Sequence, residues 1–470
     1  MRGDYAFERF HGEPPLSVIR SRSLDLSGWG RFPVEKCDAY RPESVEEIRE
    51  LIRVAPSESL ISRGMGRSYG DASLNSGRGV ILHERLNRIL SFDPETGLLH
   101  CEASVTLAEI IDVFLPQGFF PAVTPGSKNI SLGGAIAADV HGKNHHRDGT
   151  ISGQVLGFHV LTGEGELISC SRSENSRLFW ATLGGMGLTG AVVDVRLKLR
   201  RVDSSYLKTQ TIRTTDLQET LDEIILRDRD YDYSVAWIDC LARKKSLGRA
   251  LLLRANPASP SELPSFERES PYSIRRKLPL SVPFSMPSFF LNSGNMKAFN
   301  SCFYWWPRRT EVLRDFESYF YPLDAISNWN RVYGHRGVLQ YQLVLPLESS
   351  SQGLREILER VAESGWASFL GVLKSTGPES GGLLSFPFEG TSLALDFPNR
   401  HDSIFAFLRE LDRLVIHYGG RTYLAKDSSL TPSTFRTMYP AYEDFLEVKA
   451  EVDPNGRFSS SLSRRIGLTE

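Results

Sequence analysis

The sequence predicts an α+β protein made of two units. In the first half, short apolar runs alternate with glycine-bearing turns and close on a strand of strict period two, with Val193, Val195, Leu197 and Leu199 against Asp194, Arg196, Lys198 and Arg200. That alternation means one buried and one wet face, as in an antiparallel sheet. After about residue 205 the texture changes to strands separated by amphipathic helical patterns. The length, 470 residues, suits more than one domain with ample core.

Ser44 to Arg53 reads as a helix: Ser44 caps it, Glu47 lies three residues on, and Val45, Ile48, Leu51 and Ile52 share a face. Ser59 to Ser62 is a short strand entering a glycine-rich turn. Thr106 to Phe114 forms a second helix, closed by Pro116 and Gly118. Glu174 to Thr182 reads as helical. In the second half, Tyr233–Asp239, Val338–Pro346 and Ser392–Phe397 read as strands, with helical patterns at about 352–364 and 402–418. The expected division is 1–205, 206–419 and a segment 420–470 that packs back on the first half. Residues 255–294, rich in Pro and Ser, are expected to be a mobile connection, either a lid or a disordered linker. Within them Arg275, Arg276 and Lys277 precede the Pro-broken apolar run 279–291, a pattern consistent with lipid contact.

Charge is nearly balanced, 55 Lys+Arg against 57 Asp+Glu, so no basic footprint for nucleic acid exists. Cys37, Cys101, Cys170, Cys240 and Cys302 are far apart, odd in number and without C-x-x-C, which fits reduced thiols better than disulfides or a cysteine zinc site. No signal-peptide core or long apolar span is present, so the expectation is a cytoplasmic protein, with contact at the inner face of a membrane left open.

Three glycine-rich pieces carry the chemistry. Arg63-Gly-Met-Gly-Arg-Ser-Tyr-Gly-Asp71 lets successive backbone N–H groups approach one anion, with a hydroxyl from Ser68 and charge from Arg63 and Arg67; an ordinary tight turn is the alternative. Pro125-Gly-Ser127, Ser131 and Gly133-Gly134 permit close backbone approach to a flat or phosphorylated ligand, or tight helix packing. The run His141-Gly-Lys-Asn-His-His146 lacks H-E-x-x-H and is broken by Gly142 and Asn144, so no metal site is expected. Gly184-Gly-Met-Gly-Leu-Thr-Gly190 contains G-x-G-x-x-G, but a helix precedes it and a strand follows, the reverse of a nicotinamide-binding fingerprint.

The succession of these pieces resembles the FAD domain of the vanillyl-alcohol-oxidase-like (PCMH-type) flavoproteins. Further motifs are similar to the decaprenylphosphoryl-ribose 2-oxidase group within them: His141–His146, Tyr233–Asp239, Trp329–Gly334, Leu339-Gln-Tyr-Gln342, Tyr423-Leu-Ala-Lys-Asp427 and Met438-Tyr-Pro440. The resemblance implies an FAD domain plus an antiparallel-sheet substrate domain. It implies that Gly64, Gly66, Ser68 and Tyr69, together with Gly126, Ser127, Ser131 and Gly134, hold the FAD pyrophosphate, and that Arg63, Met65, Arg67, Pro125 and Gly133 also bind the cofactor. Ala137, His141, Gly142 and Tyr423 would then line the flavin ring, Gly187 would contribute from the third loop, and Val193 would lie on the adenine side. Where many relatives carry a histidine for covalent attachment this chain has Arg67-Ser68, so dissociable FAD is expected.

Lys426 and His141 are the catalytic candidates the resemblance gives, Lys426 as the cation facing the reduced flavin and the substrate hydroxyl. Lys143, Trp237, Tyr321, Gln340, Gln342, Lys374, Ser392 and Lys426 would contact substrate. Gln340 and Gln342, two apart on a strand, would point together. Ser392 and Ala394 depart from mycobacterial members, which have Asn and Cys there. The implied reaction oxidises the 2′-hydroxyl of polyprenylphosphoryl ribose, with a quinone acceptor and a separate NADH-dependent ketoreductase. The alternatives are a soluble alditol or aldonolactone oxidase using oxygen, and a flavin-free binding subunit.

Overall fold

The computed structural model describes residues 20–274, 280–287, 291–306, 310–366 and 370–470, the side chain of Ser293 apart. The helix Val45–Val54 begins where Ser44 accepts a hydrogen bond from the Glu47 N–H at 3.2 Å, and it buries Ile48, Leu51 and Ile52. Leu107–Phe114 opens on a full capping box between Thr106 and Glu109. It ends in a 3₁₀ turn, Leu115–Gln117, closed by Gly118 in the left-handed region.

Three sheets organise the chain. The first has the order Ser21–Ser27, Val34–Tyr40, Gly79–Leu82, Leu60–Arg63, antiparallel at its first pairing and parallel at the next two. The second is antiparallel and runs Ile89–Asp93, Leu98–Glu102, Ala191–Arg201, Val155–Leu161, Leu167–Cys170, with Phe119–Pro121 also paired to Ala191–Arg201. The third is eight-stranded and antiparallel: Glu311–Asp315, Tyr206–Thr214, Ala250–Pro257, Tyr233–Ile238, Gly371–Thr376, Gly390–Pro398, Val338–Pro346, Arg421–Thr422. Helices Leu217–Arg227, Leu347–Ser364 and Ile404–His417 bury one face of it through Leu221, Leu354, Ile357 and Leu411 against Leu252, Leu373, Leu393 and Leu343. The other face turns toward the glycine-rich loops of the first half.

The C-terminal segment ties the halves together. Arg421–Thr422 is still an edge strand of the large sheet, so the chain beyond 420 does not return wholesale to the first half. Farther on, Phe458 bridges to Leu60 and packs with Ile48 and Ile52. The buried Lys449 ammonium donates to Leu188 O at 3.1 Å and pairs with Asp453 at 2.7 Å.

Two elements differ from expectation. The helix expected from about 352 starts at Leu347, because Ser349 and Ser350 bond back to the Pro346 carbonyl and so fit a first turn that reads as a loop in sequence. The 255–294 stretch is structured in part: the strand Ala250–Pro257 enters it, Ser265–Arg268 makes one helical turn, and Ser293–Trp305 is a helix. The basic triplet 275–277 falls in 275–279, outside the described residues, as do 288–290. Leu280 and Phe284 beside them are exposed.

Candidate active site

Register decides which side chains share the open face of the large sheet. Gln340 pairs Asp396, Gln342 pairs Ala394, Lys374 pairs Ser392 and Trp237 pairs Val372. Directly paired residues point to the same side, so these form one surface. Tyr341, between the two glutamines, points the other way, and its hydroxyl donates to Asp412 at 2.8 Å. The Gln342 amide lies 3.1 Å from His141 Nε2 and donates to Ser392 Oγ at 3.2 Å, while Gln340 donates to Asp396 Oδ1 at 2.5 Å.

The glycine loops meet this face. The first loop follows the strand Leu60–Arg63; Gly66 has φ +61°, and a Cβ there would press on the Arg63 guanidinium. Tyr69 N–H donates to Ala425 O at 3.0 Å, and the Lys426 ammonium sits 4.2 Å from the Tyr69 ring centroid. Ser131 caps the short helix Leu132–Ala137 by accepting from the Gly134 N–H, and a side chain at Gly64 would collide with Ser131 Oγ. Gly133 abuts Ala103, so its lack of a side chain serves packing. The third loop is stitched to the same helix, with Met186 N–H to Ala137 O at 2.8 Å. A Cβ on Gly126 would meet nothing within 4 Å, so open space lies beside it.

His141 is buried 5.3 Å from the Tyr423 ring, which stacks on Phe386 and donates from its hydroxyl to Ala138 O at 2.7 Å. Burial, followed by the charges of Lys374, His145 and Lys426, holds the imidazole well below its usual range. With Gln342 donating to Nε2, the neutral ring carries its proton on Nδ1, a buried atom with no partner among the described residues. His141 thus presents a buried N–H donor at Nδ1 that no described residue accepts.

Three half-buried lysines converge on the same volume. Lys374 donates to Gly142 O at 3.1 Å, Lys143 to Tyr319 O, and Lys426 rests on Tyr69. Burial draws Lys374 and Lys143 down to about 7 and Lys426 to about 8, Lys374 being lowered further by the other two ammoniums. A site that holds amines in this state is short of negative charge and favours an anionic ligand.

Other residues singled out in the sequence lie elsewhere or act otherwise. Arg63 is committed within its loop, to Ser27 O at 2.6 Å and Ser73 Oγ at 3.1 Å, and Arg67 lies 4.4 Å from the Trp29 ring centroid and donates to Asn129 O. Val193 is core beside Ile48 and Phe458, leaving only its main chain to offer; the strand bulges there. The Met65 side chain is exposed. Ser127 donates to Asp324 at 3.1 Å, and Gly187 has φ +79° with only Ile61 near its Cβ position. Tyr321 is packed among aromatics with its hydroxyl on Thr124. Trp237 shares the site face, with its ring 4.8 Å from Phe303.

Sequence reading passes over Asp396 and Tyr333. Asp396 is 1% exposed and accepts from Gln340 and, at 3.0 Å, from the Tyr333 hydroxyl. An acid inside the apolar run Ser392–Phe397 was the available signal; its register with Gln340 comes only from the structure. Asp71, Asp427 and Arg465 form a buried clamp between the first loop and the Lys426 loop. Among the described residues no group of three or more His, Cys, Asp or Glu side chains could hold a metal ion.

The FAD binding domain family matches residues 39–171, and the D-arabinono-1,4-lactone oxidase family matches residues 397–466. The orphaned His141 Nδ1, the open space at Gly126 and the electropositive cleft fit such a cofactor. The fold and site therefore define an FAD-dependent oxidoreductase. Similar proteins include the decaprenylphosphoryl-β-D-ribose oxidase of Mycolicibacterium smegmatis, 36% identical over 94% of this chain and 97% of that protein. The L-gulonolactone oxidase of Mus musculus is 21% identical over 91% of this chain and 94% of its own. Cytokinin dehydrogenase 3 of Arabidopsis thaliana is 32% identical over 34% and 32%. The chain belongs to the decaprenylphosphoryl-β-D-ribose oxidase family.

Proposed function

We propose that this protein oxidises the 2′-hydroxyl of a polyprenylphosphoryl-β-D-ribose to the 2′-ketone, a step toward polyprenylphosphoryl arabinose and cell-wall arabinan. The observation that carries this reading is the convergence of Lys143, Lys374 and Lys426 with Gln340 and Gln342 on one sheet face. Ammoniums in a dehydrated cleft suit a phosphodiester, and the paired amides suit sugar hydroxyls. The extent of the match to the Mycolicibacterium smegmatis oxidase supports the same substrate class.

Bound FAD supplies the two-electron acceptor for the hydride that leaves carbon 2′. Backbone N–H groups of Gly64, Gly66, Gly126 and Gly134, with Ser68, Tyr69, Ser127 and Ser131, would hold its pyrophosphate, and Ala137, His141, Gly142 and Tyr423 would line the ring. Without a histidine at Arg67-Ser68, no covalent link forms there. Lys426 would hydrogen-bond the reacting hydroxyl oxygen and offset the negative charge the flavin gains with the hydride, while the hydroxyl proton would leave to solvent. The Nδ1–H of His141 fixes orientation. The same reading gives a quinone as electron acceptor, an NADH-dependent ketoreductase that consumes the ketone, and peripheral membrane contact for a lipid-borne substrate. Among the described residues, no helix is long and apolar enough to cross a membrane.

A second reading rests on the lactone-oxidase match over 397–466: a soluble alditol or aldonolactone oxidase that passes electrons to oxygen. Anaerobic mixing with polyprenylphosphoryl ribose separates the two. Flavin bleaching that Lys426→Ala loses, by at least about 100-fold in rate and without losing FAD, is expected. Bleaching by water-soluble polyols alone, or full bleaching in the variant, defeats the proposal.

A further inference from the structure

The open sheet face carries one carboxylate among its named site residues, and the functional reading above gives it no part. Asp396 lies at the centre of a buried chain of polar groups. Gln340 donates to its Oδ1 at 2.5 Å, and the same amide side chain reaches the Tyr69 hydroxyl. Tyr333, at the end of the 3₁₀ segment Trp329–Tyr333, donates to Oδ2 at 3.0 Å. At the other end, the Tyr69 ring carries the Lys426 ammonium on its face, 4.2 Å from the centroid. The five groups come from the first glycine loop, two neighbouring strands, the 3₁₀ segment and the Tyr423–Asp427 loop, so their meeting is a property of the whole fold.

We propose that Asp396, with Gln340 and Tyr69, is the positioning residue that keeps the Lys426 ammonium charged and seated on the Tyr69 ring. The inference rests on the reading of Lys426 given above, and it adds the group that makes a buried amine usable as a cation.

The surroundings make the dependence one-sided. Lys426 faces Lys374 and His141, each of which it holds down, and burial works against its own charge; Asp396 is the opposing influence. Asp396 itself faces Lys426, Tyr69, Tyr333 and Cys240. Burial drives both phenols and the thiol upward, so all three are neutral near pH 7 and add no competing charge. Burial also raises the Asp396 carboxyl, to about 6, with Gln340, Tyr333 and Lys426 opposing. At neutral pH it is therefore an anion. Removing that anion takes away the one charge that opposes the burial of Lys426, so its protonation midpoint must fall.

The test uses the FAD-loaded full chain and reads Lys426 directly. Acetic anhydride labels neutral amines only, and the labelling of the Lys426 peptide against pH, followed by mass spectrometry, gives the midpoint without turnover. In Asp396→Asn the midpoint is expected about one pH unit lower than in the parent, with FAD retained and flavin reduction by substrate slowed about twofold at pH 7 and nearly tenfold at about pH 9, at unchanged KM. Asp396→Glu should bring the midpoint back toward the parent value. Should D396N fail to fold, Gln340→Met leaves Asp396 in place and severs its link to Tyr69, and a smaller shift of the same sign is expected. An unchanged midpoint in a folded, flavin-loaded variant overturns the inference. If Lys426→Ala keeps full flavin reduction, the functional reading fails instead, and the labelling midpoint still reports on Asp396.

Discussion

Replacing Arg465 with Met tests how the two halves of the site are held together. Arg465 closes the helix Ser461–Arg465 and donates from Nε and Nη2 to the two oxygens of Asp71, at 2.8 and 2.7 Å. Nη2 also lies 2.9 Å from Asp427 Oδ2, and Nη1 donates to Leu430 O at 3.0 Å. Asp71 ends the first glycine loop and Asp427 follows Lys426, so one guanidinium pins the two loops together. The carboxylates are 7% and 3% exposed, whereas Arg465 is 25% exposed. Losing it strands two buried charges. Removing one partner of a buried pair costs about 3–5 kcal/mol. A second stranded carboxylate pushes toward the upper end, and partial access of water to the guanidinium pulls back, so about 4 kcal/mol is expected. For a cooperative unit of 470 residues, with an unfolding entropy of roughly 1 kcal/mol/K, the melting temperature falls by about 4 °C. Flavin fluorescence in a thermal ramp reports the loss, because the loops that come apart are the ones proposed to hold FAD. Adding Asp71→Asn and Asp427→Asn to the variant should restore part of the stability, since no unpaired charge then remains buried. A single variant that melts and releases flavin with the parent would refute the clamp.

Two further outcomes follow from other buried groups. Asp412, with its carboxyl raised by burial to about 7, favours its protonated form in the fold, so its contribution is fully present below about pH 4 and is lost as pH rises through about 7. Asp412→Asn keeps an acceptor for Tyr341 and should flatten this dependence, with a gain of up to a few kcal/mol above pH 7 in urea unfolding; an unaltered pH slope contradicts it. Thr106→Ala removes a capping box and should cost about 1 kcal/mol by the same assay, with a null result contradicting the capping argument.

Much of the fold is legible in the chain because the rules involved are local. Ser44 with Glu47 and Thr106 with Glu109 announce helix starts, and the alternation from Val193 to Arg200 announces an antiparallel strand. The spacing of Gln340 and Gln342 places both on one face with no tertiary information. The Ser349–Ser351 run hides a helix start, since serine side chains serve loops and first turns equally well. Charge and proximity mark Arg63 and Arg67 in the sequence, but only the fold shows Arg63 held by Ser27 O and Ser73 and Arg67 set against Trp29 and Asn129 O.

The linear order of residues determined the glycine loops, the strand faces and the class of chemistry, because spacing and side-chain type act over a few residues. The assembled molecule decided which groups are charged and what holds them. Asp396 meets Gln340 across 56 positions and Arg465 meets Asp71 across 394, so neither pairing leaves a local trace. The neutral state of His141 and the depressed lysines arise from burial among one another, and dielectric surroundings exist only after the chain has folded.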